Sequence, residues 1–391
     1  MRLRDSESDA APRRPPLLPP ARLADAAVAL GLLGGRDLFE SDMDGLVASA
    51  GACVHALSPA QAVDVARGLA LASHLPPAGL VAALEARAAA GTTRHKASPS
   101  PSSLSHATIA AAVWAFASLA HPPDALLAAC DFGAAVAPRL GPRPAAAAAW
   151  GLAVSGRGGG REAAALAVRL TGLGADQLTA RTGRRGLRQV HWAALAARLL
   201  GEEEGGDGGG LATPLASSSP AALAWAASDG HPDSLTDAAA AGAAADARRG
   251  ATRSSAVQEA VLRAMASLLG RGVVRAEATC PLTGLVVDGL LPADRLAEGW
   301  AGPPRGVAVE VDGPTHFHRG KAACAAAACD SLPGAAGGRR PTPPTALKRR
   351  LLTAAGWAVV SIDVEAWGRL GSGEAEASFV RGVLSEIGAC R

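Results

Sequence analysis

The sequence predicts an α-helical repeat region followed by a small α/β domain, and three observations carry that expectation. Tryptophans recur at 114, 150, 192 and 225, at intervals of 36, 42 and 33 residues, each inside an alanine-rich run. A period of roughly 35–45 residues with one helix pair per unit is the mark of an α-solenoid. After Arg271 the texture changes to valine-rich runs of strand type, Leu285-Val286-Val287, Val307 to Val311 and Trp357 to Ile362. Finally, 49% of the chain is apolar but only 3% is aromatic, with no tyrosine. The apolar content is therefore mostly alanine, which favours helix and buries little area per residue.

In chain order, residues 1–20 read as a disordered Pro/Arg leader, 21–91 as helical and 92–104 as a linker rich in Ser, Thr and Pro. Degenerate helical repeats occupy 105–200. In the first of them Ile109, Val113, Phe116 and Ala120 share one helix face. An acidic, Gly/Ser-rich linker spans 201–220, a further helical repeat region 221–270, and the α/β domain 271–391. The repeats echo one another beyond composition: Trp114 leads to His121-Pro122 and Asp124, Trp225 to His231-Pro232 and Asp233. The C-terminal order expected is strand, strand, a helix from Pro344 to Ala355 with Thr345 as its cap, strand, and a helix from Ala375 to Ile387.

Several function classes drop out. No apolar stretch reaches the roughly 18 residues of a membrane helix, so no membrane partner is expected. The net charge of +3 is too small to define a partner by itself, and any basic surface must be local. The six cysteines form no CxxC pair and read as reduced thiols of an intracellular compartment. His316 and His318 followed by Cys324 and Cys329 lack the ligand spacing of a zinc site. The leader points both ways on a transit peptide, with four arginines that suit one and Asp5, Glu7 and Asp9 that do not.

The most specific stretch is VAVEVDGPTH, Val307 to His316. Glu310 and Asp312 project to one face of a strand, because side chains alternate with period two. Gly313-Pro314 turns the chain, His316 follows, and Asp288 is expected at the end of an earlier strand. Three carboxylates and an imidazole at one sheet edge suit a hard divalent ion or a polar network.

This stretch, followed by T-x-LKRRLL, GWAVVSID and EAW, resembles the RAP domain, a module at the C-terminus of octotricopeptide-repeat and FAST-kinase-like proteins. The core of the resemblance runs over 307–370 and includes Glu310, Asp312, Gly313, Pro314, His316, Trp357 and Trp367. The WAxA cores of the repeats are similar to the octotricopeptide repeat. The resemblance implies binding of single-stranded organelle RNA in mitochondrion or chloroplast, in support of processing, stability or translation, without a cofactor and alongside other RNA-processing proteins. It also implies a restriction-endonuclease-like fold. That fold holds a metal with an Asp on one strand and Glu-x-Lys on the next. Asp288 and Glu310 match, but Asp312 stands where the lysine belongs, and Lys348 substitutes only if it points back from its helix. A metal-dependent endonuclease holding Mg²⁺ with Asp288, Glu310 and Asp312, assisted by Lys348 or His316, is therefore the alternative, and a protein-interaction scaffold the third reading.

Two basic clusters are candidate phosphate contacts. Arg339, Arg340, Lys348, Arg349 and Arg350 place five cations in twelve residues with no acid between them. Arg181, Arg184, Arg185 and Arg188 fall at helical spacing, although Gly183 and Gly186 make a basic loop as good a reading. Trp357 and Trp367 are expected in the core. With aromatics so scarce, recognition is expected to rest on arginine and polar side chains rather than on base stacking.

Overall fold

The computed structural model describes residues 18–33, 40–92, 103–158, 160–173, 175–200, 256–270, 272–296, 300, 302–320, 339–371 and 373–388. The leader, most of the 92–104 linker, the acidic 201–220 segment, Trp225 with its His-Pro echo, and Cys324 and Cys329 lie outside the described residues, as do the side chains of Arg184 and Arg185. The described chain is mostly helical, with a four-stranded mixed sheet near its C-terminus.

The N-terminal part consists of α1 (Pro20–Leu32), α2 (Glu40–Cys53), α3 (Pro59–Leu71), α4 (Ala78–Ala90), α5 (His106–Ser118), α6 (Asp124–Cys130), α7 (Pro142–Val154), α8 (Arg161–Leu173) and α9 (Ala175–Leu200). Their starts are chemically marked. Ser58 and Gln61 form a reciprocal capping box at α3, and the Ser105 side chain accepts from the Thr108 N–H at α5. The odd-numbered helices pack side by side in the order α1, α3, α5, α7, α9, while α4, α6 and α8 run along a second layer.

Alanine and glycine set this spacing. A Cβ on Gly68 of α3 would fall 2.2 Å from the Ala27 carbonyl oxygen of α1, so the two backbones touch where they cross. Ala112, Ala115, Ala145, Ala148 and Ala149 are buried between α5 and α7. Close backbone approach compensates for the small area that each alanine covers. The first of the two His-Pro segments, His121-Pro122, is held by a buried acid. Glu85 of α4 is buried, and its carboxylate accepts from His121 Nε2 at 2.8 Å and from the Leu126 N–H of α6 at 3.0 Å. That carboxylate ties one helix pair to the next.

The C-terminal part opens with α10 (Ala256–Leu269). The strands β1 (Arg275–Thr279), β2 (Val286–Pro292), β3 (Gly306–Asp312) and β4 (Ala358–Asp363) then lie in that order across the sheet. The first three are antiparallel neighbours, and β3 and β4 are parallel. A parallel pair needs a crossover, here α11 (Pro343–Ala354). The short α12 (Val364–Gly368) and α13 (Gly373–Glu386) follow. Val307, Val309 and Val311 face α10, α12 and α13, while Ala308 joins Leu347, Leu351 and Leu352 of α11 in the core shared with the helical array. Trp357 and Trp367 are both buried.

Three details differ from expectation. Asp288 lies inside β2 rather than at its end, because the strand runs on to Pro292. Thr342, not Thr345, occupies the cap position of α11, and the two hydroxyls are 3.1 Å apart. The Arg181–Arg188 stripe does not form a continuous helix face, because Gly183 adopts φ 63° and ψ −173° and breaks α9 between the two.

The α/β domain seats on the C-terminal ends of successive odd helices. Beyond α3, the Arg319 N–H donates to Ser73 O and the Leu75 N–H to Arg319 O, both at 2.9 Å. Beyond α5, Arg340 donates to Ala120 O at 3.3 Å. At the end of α7, one Arg350 nitrogen donates to Ala153 O and Val154 O, each at 3.1 Å. Helix ends leave carbonyls unpaired and carry partial negative charge, so guanidinium groups are well matched to them. From α9, Arg198 and His191 bond the Leu282 and Thr283 carbonyls of the β1–β2 turn.

Replacing Arg350 by Ala leaves these α7 carbonyls without their cation and is expected to cost about 1–3 kcal/mol. Guanidinium denaturation should show a lower midpoint, with Arg350→Lys intermediate. An unchanged midpoint would mean that water replaces the arginine at no cost.

Candidate nucleic-acid interface

The period-two alternation of β3 turns Glu310 and Asp312 toward α11, on the face opposite Val309 and Val311. Consecutive residues of α11 meet them. Lys348 Nζ lies 2.6 Å from Glu310 Oε2, and an Arg349 terminal nitrogen lies 2.7 Å from Asp312 Oδ2 and 2.6 Å from the Ser361 hydroxyl of β4. Ser361 also donates to Asp312. His316 Nδ1 is 2.6 Å from Asp312 Oδ1, and Asp288 Oδ2 accepts from the Val311 N–H at 2.7 Å. The sequence thus brings Asp288, Glu310, Asp312, His316 and Lys348 into one neighbourhood, and Lys348 does point back to Glu310.

Burial alone would raise the Asp312 carboxyl, but His316, Arg349 and Ser361 outweigh it and hold it well below the usual carboxylate range. Its carboxylate in turn raises the His316 imidazole against the opposing effect of burial. Burial pushes Glu310 up to about 7, with Lys348 pulling the other way. Burial also raises Asp288, opposed by its bond from Val311 and by Lys348.

These acids do not fit a magnesium site. Asp312 is enclosed by cations and a hydroxyl, Glu310 holds an ammonium, and Asp288 holds a peptide N–H. Among the described residues no group of three or more His, Cys, Asp or Glu side chains could hold a metal ion. A hard divalent ion needs several oxygens turned toward one point, often with water completing the shell. The alternative ligand set Asp288, Glu310 and Asp312 therefore resolves into hydrogen bonds and ion pairs within the protein.

Each of the five cations of the basic run has a partner within the chain, with Arg339 still partly exposed. Arg339 pairs with Glu365 and lies over the Phe317 ring, 5.8 Å from its centroid. Arg340 and Arg350 seat on helix ends, Arg349 is buried on Asp312, and Lys348 binds Glu310. The run is not an open phosphate-binding stripe, because each cation has an intramolecular acceptor. Arg181 and Arg188 are exposed.

Lys348 and Glu310 nevertheless reach an open space. A cleft of about 810 Å³ lies between the ends of the helical array and the sheet, within the range of roughly 300–1,000 Å³ typical of ligand sites. Glu310, His316 and Lys348 line it on the sheet side, and Trp114, Trp150, Arg188 and Trp192 on the helical side. The tryptophans were legible in the sequence as repeat markers, but not as the wall of a site. Their common period was the available signal.

The RAP domain family model matches residues 309–383. The match starts inside β3, takes in the Asp-Gly-Pro turn, α11 and β4, and ends within α13. RAP domains are generally nucleic-acid-binding, and RNA is the compatible partner. No curated protein matches the chain. Among the described residues no helix is long and apolar enough to cross a membrane.

Two outcomes follow from the RAP-domain network. Arg349→Met leaves a buried carboxylate unpaired and should cost about 3–5 kcal/mol, whereas Arg349→Met with Asp312→Leu should recover most of that loss. Chemical denaturation of the single and double variants checks this, and an equally unstable double variant would contradict it. The second outcome concerns pH. Because the folded chain holds the Glu310 proton more tightly than the unfolded chain, stability falls as pH rises from the ordinary value of 4.5 to about 7, and this contribution is flat above that. Glu310→Gln should flatten the decline of denaturation midpoints across that window. Parallel declines in both proteins would refute the assignment.

Proposed function

We propose that this chain is an RNA-binding protein acting in organelle RNA processing, stability or translation, in the mitochondrial matrix or chloroplast stroma. Its helix pairs are read as a short octotricopeptide-like α-solenoid, and the β2–β3–α11–β4 unit as a restriction-endonuclease-like core used for binding. Single-stranded RNA is the proposed partner, with other RNA-processing proteins acting on the same transcript. The observation that carries this reading is the placement of the RAP domain across the helix ends, so that Lys348 and Arg188 open into one cleft. Phosphate contact in this reading falls to Arg188 and Arg181, the exposed arginines of α9, together with Lys348 at the cleft. In this reading it does not fall to the basic run as a whole, of which Arg340 and Arg350 seat the domain on the helical array and Arg339 and Arg349 pair within the domain.

The nuclease reading retains one favouring observation, the contact of Lys348 Nζ with Glu310 beside Asp288. Its metal set does not fit, so binding without cleavage is the expected behaviour.

The test is retention of labelled single-stranded RNA by the full chain across a salt series, with and without Mg²⁺. Affinity should fall steadily with salt. Arg181→Glu with Arg188→Glu should weaken binding about tenfold or more at moderate salt and lower the salt slope by about two charges. The RNA should remain intact. Mg²⁺-dependent cleavage lost in Glu310→Gln would replace this reading by the nuclease, and absence of retention would leave the scaffold.

A further inference from the structure

The cleft has a composition that phosphate contact alone does not explain. A chain with 3% aromatic residues and no tyrosine places three of its seven tryptophans along one wall, one from each of the consecutive odd helices α5, α7 and α9. Trp114 and Trp192 are half-buried and Trp150 is buried. The Trp114 and Trp150 rings are 6.3 Å apart between centroids, with planes tilted by 33°. Trp150 belongs to the buried core, while Trp114 and Trp192 pack against that core and also line the cleft. Across the cleft stands Glu310, only 3% exposed. Lys348 holds one of its oxygens, while the other, Oε1, is buried with no hydrogen-bond partner. Ser118 Oγ and Arg349 Nε of the same lining are likewise buried without partners, so the cleft wall holds an acceptor and donors whose hydrogen bonds the chain itself does not complete.

The charged part of the remaining lining is mostly cationic, among apolar and small polar side chains. Arg188, Lys348 and Arg349 line the cleft and Glu310 is the one acid among the described lining residues. An apolar peptide would gain nothing from those cations, and a duplex would keep its base faces hidden. An unpaired nucleotide meets all three features at once. It offers a flat π-face to indole, N–H groups on the edge of the base, and a phosphodiester to the arginine at the rim.

Resting on the RNA-binding reading above, we propose that the Trp114–Trp150–Trp192 wall is a stacking site for unpaired bases of single-stranded RNA, with Glu310 Oε1 as the acceptor for a base N–H. The cleft volume is enough for a short run of nucleotides rather than one. Recognition then relies on stacking, contrary to what aromatic scarcity suggests, because the few aromatics are concentrated where the repeats face the RAP domain.

The test uses the full chain, a fluorescein-labelled single-stranded RNA of mixed sequence, and an abasic ribose-phosphate oligomer of equal length. Intrinsic tryptophan fluorescence should be quenched by the RNA and not by the abasic oligomer. Trp114→Leu and Trp192→Leu should each weaken RNA binding about tenfold, leave abasic binding unchanged, and be rescued by the corresponding Phe variants, which keep a π-face. Circular dichroism confirms that each variant is folded. If a Leu variant does not fold, the quenching comparison on the unaltered protein still decides the matter. Equal quenching and equal affinity for the two oligomers would overturn the stacking site while leaving RNA binding intact. If neither oligomer binds, the RNA-binding reading fails and the stacking site with it.

Discussion

Three consecutive cations on α11 hold the two parts of the molecule in register. A helix turns about 100° per residue, so Lys348, Arg349 and Arg350 leave it in three directions. Lys348 and Arg349 reach down to Glu310 and Asp312 of β3, and Arg350 reaches away to the end of α7. One short segment therefore fixes the crossover helix to its own sheet and fixes the sheet to the helical array. The cleft lies between the two walls that this clasp and its neighbouring contacts join. The Arg350 contact works together with the Arg319–Ser73/Leu75, Arg340–Ala120 and His191–Thr283 bonds and with the apolar core shared by α11 and the array to keep the tryptophan wall and the Glu310 edge opposite each other.

The same clasp explains why the acids are bad metal ligands and good structural anchors. A buried carboxylate is costly unless paired, and each of the three has found a different partner: a guanidinium, an ammonium and a peptide N–H. Asp312 is the most enclosed and is held charged. Glu310 has one oxygen paired and one not, and its raised affinity for a proton follows from burial, which Lys348 only partly offsets. Of the three acids, Glu310 is the one that lines the cleft.

Much of the α/β domain could be read directly from the residues. The alternation of VAVEVD placed Glu310 and Asp312 on one face, and β3, α11 and β4 start and stop within about two residues of where hydrophobic pattern and glycine punctuation put them. β1 was invisible because Arg275–Thr279 is polar and exposed at the sheet edge, where little burial constrains its sequence. The short α12 left a local trace, Asp363, whose side chain accepts from the Glu365 and Ala366 N–H groups. The function of the basic run was not legible. An arginine that binds phosphate and one that binds a helix end have the same local sequence, and the Arg350 acceptors lie 197 and 196 residues away. Tertiary docking, not composition, decided what those charges do.

The central claim is that RNA is held in the cleft between the helical array and the RAP domain. Photo-crosslinking of a single-stranded RNA containing 4-thiouridine, followed by mass spectrometric mapping of the attached peptides, tests it most directly. The account predicts attachment at the cleft, on peptides carrying Trp114, Arg188, Trp192 or Lys348, and none on the outer helices α4, α6 and α8. Attachment confined to those outer helices would contradict it.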